Sequence, residues 1–459
     1  MSTTTDRNPL PGGHDGAASD ALGDATAAAP DSAPRSRFFP GLVFGLTFAL
    51  LLSDYMSRQV LAAVFPFLKA EWGLTDVQLG TLNSAVAIAV GLLAVPLSIL
   101  GDRFGRARAI VVMATLWSLA TLASAWANNY GELLTARILV GVGEAAYGSI
   151  GLAVVYLVFK PHLRSTLSGA FLGGGAFGSV LGVAIGGVVA MLHGWRMAFI
   201  VMGILGLILA LVYAFTVTEK RLSAHAIPDA AAHLEPEEQR LMTRARFRTL
   251  FSTPAVVMAY LGSGLQLFMT GTLLAWLPSY FNRAYGMPVD KAGKMAAIFL
   301  LLLGVGMIVT GVISDRLSKY NSQRKWTTSI VYAVIALVFF VAAFSLPPGP
   351  AQLGLLAVAA FVCSGPAGPA GAMVAALTTP SIRATAFATL ALANNILGLA
   401  LGPIVTGKIA DAIGLAGAMR VVPWVGLLAI AALIVGYRTH HASLAKLGVS
   451  DPARPSVAS

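Results

Sequence analysis

Charge is scarce in this sequence of 459 residues. Asp, Glu, Lys and Arg together make up 11% of the chain, whereas hydrophobic residues make up 57%. A soluble globular domain carries about 25% charged residues, so most of this surface must face something other than water. The composition excludes an ordinary soluble protein and predicts an integral membrane protein. The length is sufficient for about a dozen spans of ~20 residues.

Cysteine is scarcer still, because Cys363 is the single cysteine of the chain. One thiol excludes an intrachain disulfide and a cysteine-based metal site. The sequence also has no glycine-rich phosphate loop, metal-ligand cluster or nucleophile triad, so we expect no cofactor, no ATP-driven step and no enzymatic activity. The net charge of +11 does not indicate nucleic-acid binding, because the excess lies in loops, where it sets membrane topology.

Twelve apolar stretches follow one another, six on each side of a long polar segment. This pattern predicts an all-α integral membrane protein of twelve transmembrane helices, arranged as two six-helix pseudo-repeats around a central cavity. The stretches lie near residues 40–67, 77–99, 108–127, 131–158, 165–191, 197–217, 254–281, 292–313, 327–346, 351–377, 384–406 and 418–437. The predicted segments are a disordered cytoplasmic tail (1–38), an N-terminal bundle (39–217), a cytoplasmic linker (218–252), a C-terminal bundle (253–438) and a cytoplasmic C-terminal tail (439–459).

Lysine and arginine are unevenly distributed among the polar segments. With the N-terminus inside, 22 of the 31 Lys and Arg residues lie in inside segments and 7 in outside segments. Because positive residues concentrate on the cytoplasmic side, both termini are predicted to be cytoplasmic. The alanine- and glycine-rich spans, and the preference for Arg over Lys, favour a bacterial inner (plasma) membrane as the location.

The two halves carry related motifs. The second span ends in LSILGDRFGR and the eighth in TGVISDRLSK, with Asp-Arg pairs 213 residues apart. Arg164 opens the fifth span and Arg383 the eleventh, 219 residues later. Two parallel repeats are a transporter architecture, with a central site between the halves near the membrane midplane.

The loop GDRFGRAR resembles the signature of the major facilitator superfamily. The matching residues are Asp102, Arg103, Gly105 and Arg106 in the first copy, and Asp315 and Arg316 in the weaker second copy. The resemblance implies that this loop latches an inside gate through contacts across the two halves. The alternative is that these residues are ordinary positive-inside anchors.

A narrower resemblance, to the spinster-like branch of that superfamily, lies in the first half. It is carried by Trp117, Ser118, Arg137, Gly141, Gly143, Glu144, Ala145, Trp195 and Arg196. The branch reads Asp-Arg in its first span, whereas here Ser57 precedes Arg58 and the acid stands at Asp54. Eukaryotic members are associated with lysolipid and sphingolipid export, which makes a lipid-like substrate one expectation.

Four charged residues interrupt apolar spans of the first half. Asp54 and Arg58 are four residues apart and share one helix face, and Arg137 and Glu144 are seven apart, again on one face. We expect Arg58 and Arg137 at an outer level, binding an anionic group, and Asp54 and Glu144 at a middle level, carrying the coupling proton. The alternative is a static network that pairs Asp54 with Arg58 and Glu144 with Arg137.

Three amides also lie within spans, at Gln266, Asn394 and Asn395. They are candidates for substrate contact, although amides in a bilayer also bond to neighbouring helices. We therefore predict a monomeric secondary active transporter that works by alternating access and is driven by protons. Its predicted substrate is small, organic or lipid-like, and anionic or zwitterionic, and membrane lipids are its expected surroundings. An organic or aromatic acid:proton symporter and a drug/proton antiporter are the alternatives.

Overall fold

The computed structural model describes residues 38–160, 163–227, 250–251, 253–319, 321, 323–365, 367–378 and 382–446. Within these residues every regular element is helical. The helices are α1 (Phe39–Trp72), α2 (Asp76–Phe104), α3 (Arg106–Trp126), α4 (Tyr130–Glu144), α5 (Tyr147–Val158), α6 (Arg164–His193), α7 (Trp195–Thr216), α8 (Glu219–His225), α9 (Pro254–Ala284), α10 (Val289–Leu317), α11 (Arg324–Ser345), α12 (Pro350–Cys363), α13 (Ala367–Ala376), α14 (Arg383–Ala393), a π-helical segment (Asn394–Ala400), α15 (Leu401–Val421), a 3₁₀ turn (Val422–Val425) and α16 (Gly426–Lys446). The predicted N-terminal tail, the middle of the linker and the end of the C-terminal tail lie outside the described residues.

The helices have the length and composition of membrane spans. Ten stretches of the described residues are long and apolar enough to cross a membrane. One of them, Thr385–Lys446, has 62 residues, or about 93 Å at the helical rise, whereas a hydrocarbon core is about 30 Å thick. Gly414, at φ 76°, divides this stretch into two. The shorter apolar helix α12 is a further candidate span. The fold is an all-α membrane bundle whose spans are consistent with the predicted twelve.

Helix α1 is held tightly against α6. A Cβ added to Gly178 would lie 2.7 Å from the Leu52 carbonyl oxygen, and one added to Gly182 would lie 2.7 Å from the Met56 carbonyl oxygen. Small residues permit this approach of two backbones. The contact fixes the stretch of α1 that carries the two charged residues of the first span.

Two spans are broken at equivalent places. Helix α4 ends at Glu144 and α5 begins at Tyr147, while α12 ends at Cys363 and α13 begins at Ala367. The last residues before the two breaks are 219 positions apart, the same separation as the arginines that open the fifth and eleventh spans. The fourth and tenth apolar stretches, each expected as one span, therefore hold two helices each.

The two halves meet at the end of the bundle where α1 passes into α2 and α9 into α10, called the closed end. The rings of Phe65 and Trp276 lie 5.3 Å apart across the halves. Ser84 Oγ donates a hydrogen bond to the Ala400 carbonyl at 2.6 Å. All the described hydrogen bonds between the halves involve α2 residues between Asp76 and Ser84.

The opposite end, where α2 passes into α3, is called the open end. Towards the closed end α2 is covered, because Leu79 and Leu82 are completely buried. Beyond its midpoint four large apolar side chains are each at least 46% exposed: Leu92, Val95, Ile99 and Leu100. This face of α2 is therefore not covered by other helices towards the open end.

Candidate functional site

Four charged side chains from α1 and α4 meet in the first half: Asp54, Arg58, Arg137 and Glu144, called the charged cluster. Arg58 Nε donates to Glu144 Oε2 at 2.5 Å and lies 3.9 Å from Asp54 Oδ1. One guanidinium group therefore serves two carboxyl groups, one from its own helix and one from the facing helix.

The charged cluster is buried. Asp54 and Glu144 are each 3% exposed and Arg137 is 1% exposed, whereas the Arg58 side chain is 17% exposed. A charge at the centre of a bilayer costs ~2.5–3.5 kcal/mol on insertion scales, and buried charges are tolerated when they are paired. Two acids and two arginines make the cluster formally neutral, and Arg58 is its most accessible member.

The pairing within the cluster keeps the Asp54–Arg58 pair of the expected static network but not its Glu144–Arg137 pair. Arg137 donates through a terminal guanidinium nitrogen to the Ser57 carbonyl at 3.1 Å, and Glu144 pairs with Arg58 rather than with Arg137. The side chains form one cluster instead of two separate levels. Three of its atoms have no hydrogen-bond partner among the described residues: Asp54 Oδ1, Glu144 Oε1 and Arg137 Nε. Buried polar atoms without partners are expected where a ligand or water binds.

Glycines fix the position of Glu144. A Cβ added to Gly141 would lie 2.8 Å from the Val86 carbonyl oxygen, and one added to Gly143 would lie 2.7 Å from the Trp117 amide nitrogen. Helix α4 is thus held against α2 and α3 at backbone distance in its last turn, just before the break. Gly141 and Gly143, two of the residues that carry the spinster-like resemblance, therefore fix the position of Glu144.

The eleventh-span amides lie in the π-helical segment that begins at Asn394. Asn394 Oδ1 accepts from Ser263 Oγ at 2.8 Å, and Asn395 Nδ2 donates to the Ala391 carbonyl at 2.9 Å. The Asn395 Cβ lies 3.0 Å from where a Cβ on Gly91 would stand, so this residue faces α2 of the other half. Single π-helical turns are frequent at functional sites, which the sequence pattern did not reveal.

Gln266 lies elsewhere in the second half. Its Nε2 donates to the Ser329 carbonyl at 3.4 Å, and the residue lines a small crevice among α9, α11, α12 and α16. The contacts described for the three amides do not include the charged cluster. Their predicted share in a substrate site remains a prediction.

The predicted inside-gate motif lies at the open end. Gly105 has φ 94° and separates α2 from α3, and Glu219 Oε1 accepts from the Ala107 amide at 2.6 Å. Asp315 lies 3.6 Å from Lys325 in the same half, and the exposed Arg103 and Arg316 have no contact across the halves among the described residues; the Asp102 side chain lies outside these. An interaction of Arg106 is present. The expected inside-gate latch is not seen among these contacts and remains a prediction.

Sequence reasoning missed a second charged group, at the closed end. The carboxylate of Asp76 receives two bonds from Arg283 at 2.8 Å each and one from Lys69 at 2.7 Å. The Asp411 carboxylate accepts from the backbone amides of Asp76 and Val77 at 2.6 and 2.9 Å. The sequence offered one signal, the Thr75 capping box that begins α2, but nothing that joined it to residues more than 200 positions away.

A bundle of apolar helices in two halves, with a buried charged cluster inside one of them, is the arrangement of a multi-pass membrane transport protein. The family model of the Major Facilitator Superfamily matches residues 47–370. The chain belongs to this superfamily. It is therefore a transport protein rather than an enzyme, and a secondary transporter of small organic substrates.

Individual relatives agree with this assignment. The chain is 29% identical over 317 residues to a probable L-galactonate transporter of Escherichia coli (strain K12), covering 68% of this chain and 69% of that protein. It is 27% identical over 393 residues to protein spinster homolog 1 of Xenopus laevis, covering 80% and 72%. A crystal structure of a bacterial homologue of the human lysosomal transporter Spinster, inward-facing and unoccupied, superimposes with a TM-score of 0.77 at 20% identity, covering 89% of this chain and 99% of that one. The predicted spinster-like resemblance is confirmed.

Proposed function

We propose that the chain couples the movement of a small organic anion to the movement of a proton by alternating access. The observation that carries this proposal is the convergence of Asp54 and Glu144 on Arg58 inside a membrane bundle. In a transporter of this kind, the occupancy of the proton site must affect the affinity of the substrate site. A guanidinium shared by two acids provides that link, because it can leave either acid for a substrate carboxylate, which it binds bidentately.

Charge balance supports the choice of an anion. With all four members ionised, the cluster is neutral and can be closed off from water at low cost. Adding one proton to Asp54 or Glu144 leaves one positive charge, which a monoanion neutralises. The two states with a low free-energy cost of closure from water are therefore the empty cluster and the cluster that holds both a proton and an anion. The proposed transport is accordingly symport.

The same balance ranks the other candidate substrates. A cationic drug would leave the ionised cluster with a net positive charge, which disfavours drug/proton antiport. A zwitterionic lipid-like molecule leaves the balance unchanged, so it would pass without an obligatory proton. The similarity to a protein named for L-galactonate, an organic anion, favours the anion, whereas the similarity to spinster homologues keeps the lipid-like substrate as the second candidate.

The proposed orientation follows from the lysine and arginine distribution. With both termini in the cytoplasm of a bacterial cell, the open end faces the cytoplasm and the closed end faces outwards. The predicted division into two bundles, a cytoplasmic linker and two tails is part of the same proposal.

Purified protein in liposomes tests the function. With an inward proton gradient imposed, organic acids, lysolipids and cationic drugs are offered in turn, and internal pH and substrate are both recorded. Proton entry with an organic acid and with neither other class is the expected result. Lipid movement without proton entry would replace the anion by the zwitterionic candidate. Organic-acid uptake that leaves internal pH unchanged would contradict proton coupling.

A further inference from the structure

We propose that Asp76, Arg283 and Asp411 form a reciprocal latch, called the closed-end latch, whose strength sets the equilibrium between the two access states. It rests on the proposed alternating access, but not on the coupling ion or the substrate. These are positioning residues, because they act on the conformation that presents the charged cluster rather than on the substrate itself.

The first contact runs from the second half to the first. Both terminal nitrogens of Arg283 bond to the Asp76 carboxylate, at 2.8 Å each, and Lys69 adds a third bond at 2.7 Å. The Asp76 side chain is 3% exposed, so water competes little for it. Bidentate bonds between arginine and carboxylate are among the strongest side-chain contacts. Arg283 also ends α9, where a cation is favoured by the helix dipole.

The second contact places an acid of the second half on the N-terminus of α2. The first amides of a helix have no partner within it, and Thr75 Oγ1 takes only the Gln78 amide. The two oxygens of Asp411, from α15, accept from the Asp76 and Val77 amides at 2.6 and 2.9 Å. A carboxylate at this position is stabilised by the helix dipole. Asp411 is therefore the N-terminal cap of a helix in the other half.

The two contacts are reciprocal and share Asp76. Its carboxylate accepts bonds from Arg283 of α9, and its backbone amide donates to Asp411 of α15. Helix α2 is therefore bonded to two separate helices of the second half. Backbone packing adds to this, because a Cβ on Gly407 would overlap the Asp76 carbonyl and one on Gly80 would overlap the Pro403 carbonyl. Movement of α2 away from α15 must break these contacts together, which makes the closed end a two-state element.

The open end is held differently. The ion pair described there, between Asp315 and Lys325, lies within one half. The closed-end latch therefore differs in kind from this ion pair, because its bonds join the two halves. Removing it should let the halves part at the closed end and meet at the open end.

Spin-label distances measure this directly in the full-length protein in lipid nanodiscs. In a Cys363→Ser background, one label pair replaces the exposed residues Asn128 and Ala351 at the closed end, and another replaces Ala224 and Ala442 at the open end. In Asp411→Ala, the ratio of molecules with a long closed-end distance to molecules with a short one should rise about tenfold or more. The reason is that a hydrogen bond to a charged group contributes ~1.5–3 kcal/mol. The open-end distance should shorten in the same molecules.

Asp290→Asn is the matched control. Asp290 begins α10 at the same end and pairs with Lys294 of its own helix at 3.8 Å, so its loss should leave both distances unchanged. Arg283→Lys keeps the charge but loses the bidentate bonds, and should shift the ratio in the same direction by less. If Asp411→Ala fails to fold, Arg283→Lys decides the question. Unchanged distances in a folded latch variant, or an equal shift in Asp290→Asn, would overturn the latch, whether or not proton coupling holds.

Discussion

Arg58 and Glu144 form the shortest ion pair among the described residues, at 2.5 Å, although 86 positions separate them in the chain. The pair joins the first span to the fourth and draws Asp54 into the same group. Arg58 is also the most exposed member of the charged cluster, so in the proposed mechanism it is the group most accessible to a substrate.

Glu144→Gln should abolish proton-driven accumulation and leave exchange of substrate across the membrane intact. The amide keeps the size and one acceptor of the side chain but cannot carry a proton. The measurement is internal pH and labelled substrate in proteoliposomes. Glu132→Gln, in the exposed first turn of the same helix, is the control and should behave as the unaltered protein. Retained proton uptake in Glu144→Gln would move the proton site to Asp54.

Arg58→Ala should destabilise the protein by about 3–5 kcal/mol, because it leaves two buried acids without their cation. Adding Glu144→Gln should recover part of this loss, since one acid is then removed as well. Denaturation of the four proteins of this cycle in detergent gives the coupling free energy. A coupling free energy near zero would mean that the 2.5 Å contact contributes nothing to stability.

Moving the first-span acid tests whether its place matters. Asp54→Asn should impair proton coupling, and adding Ser57→Asp, which restores the acid beside Arg58, should recover part of it. Ser57 is fully buried and its carbonyl already accepts from Arg137, so a new carboxyl there lies beside that arginine. The readout is proton uptake per substrate. Recovery by Ser57→Asn in the same background would show that the effect is not one of charge.

Gly143→Ala should cost about 1–3 kcal/mol of stability through overpacking and should weaken transport. The added methyl would lie 2.7 Å from the Trp117 amide nitrogen, so α4 must shift and carry Glu144 with it. Gly148→Ala, where a Cβ has nothing within 4 Å, is the matched control just beyond the break. Equal loss of activity in both variants would point to a general effect of alanine rather than to the position of Glu144.

The sequence carried the class of the fold and the members of the charged cluster, because both depend on local patterns. Apolar runs identify spans, and a spacing of four places Asp54 and Arg58 on one face. The choice of Arg58 over Arg137 as the partner of Glu144 depends on the register between α1 and α4, which no spacing within one helix specifies. The helix break after Glu144 and the π-helical turn at Asn394 likewise depend on tertiary packing.

The two gates illustrate a second limit. The motif around Arg103 was expected to join the halves, but no contact across the halves is described for Arg103 or Arg316. The closed-end latch joins Asp76 to residues 207 and 335 positions away. Asp411 lay between the eleventh and twelfth predicted spans with no neighbour that marked it, so its role as a cap for another helix became apparent only in three dimensions.

The matching breaks after Glu144 and Cys363 bear on how such a chain diverges. When one six-helix unit is duplicated, both copies inherit its helix breaks. Each copy can then lose side chains that the other copy keeps. Here the bend persists in both copies while the acid stands in one and a thiol in the other. The two halves thus share a helix break but differ in the residue that precedes it, so the break does not depend on the presence of the acid.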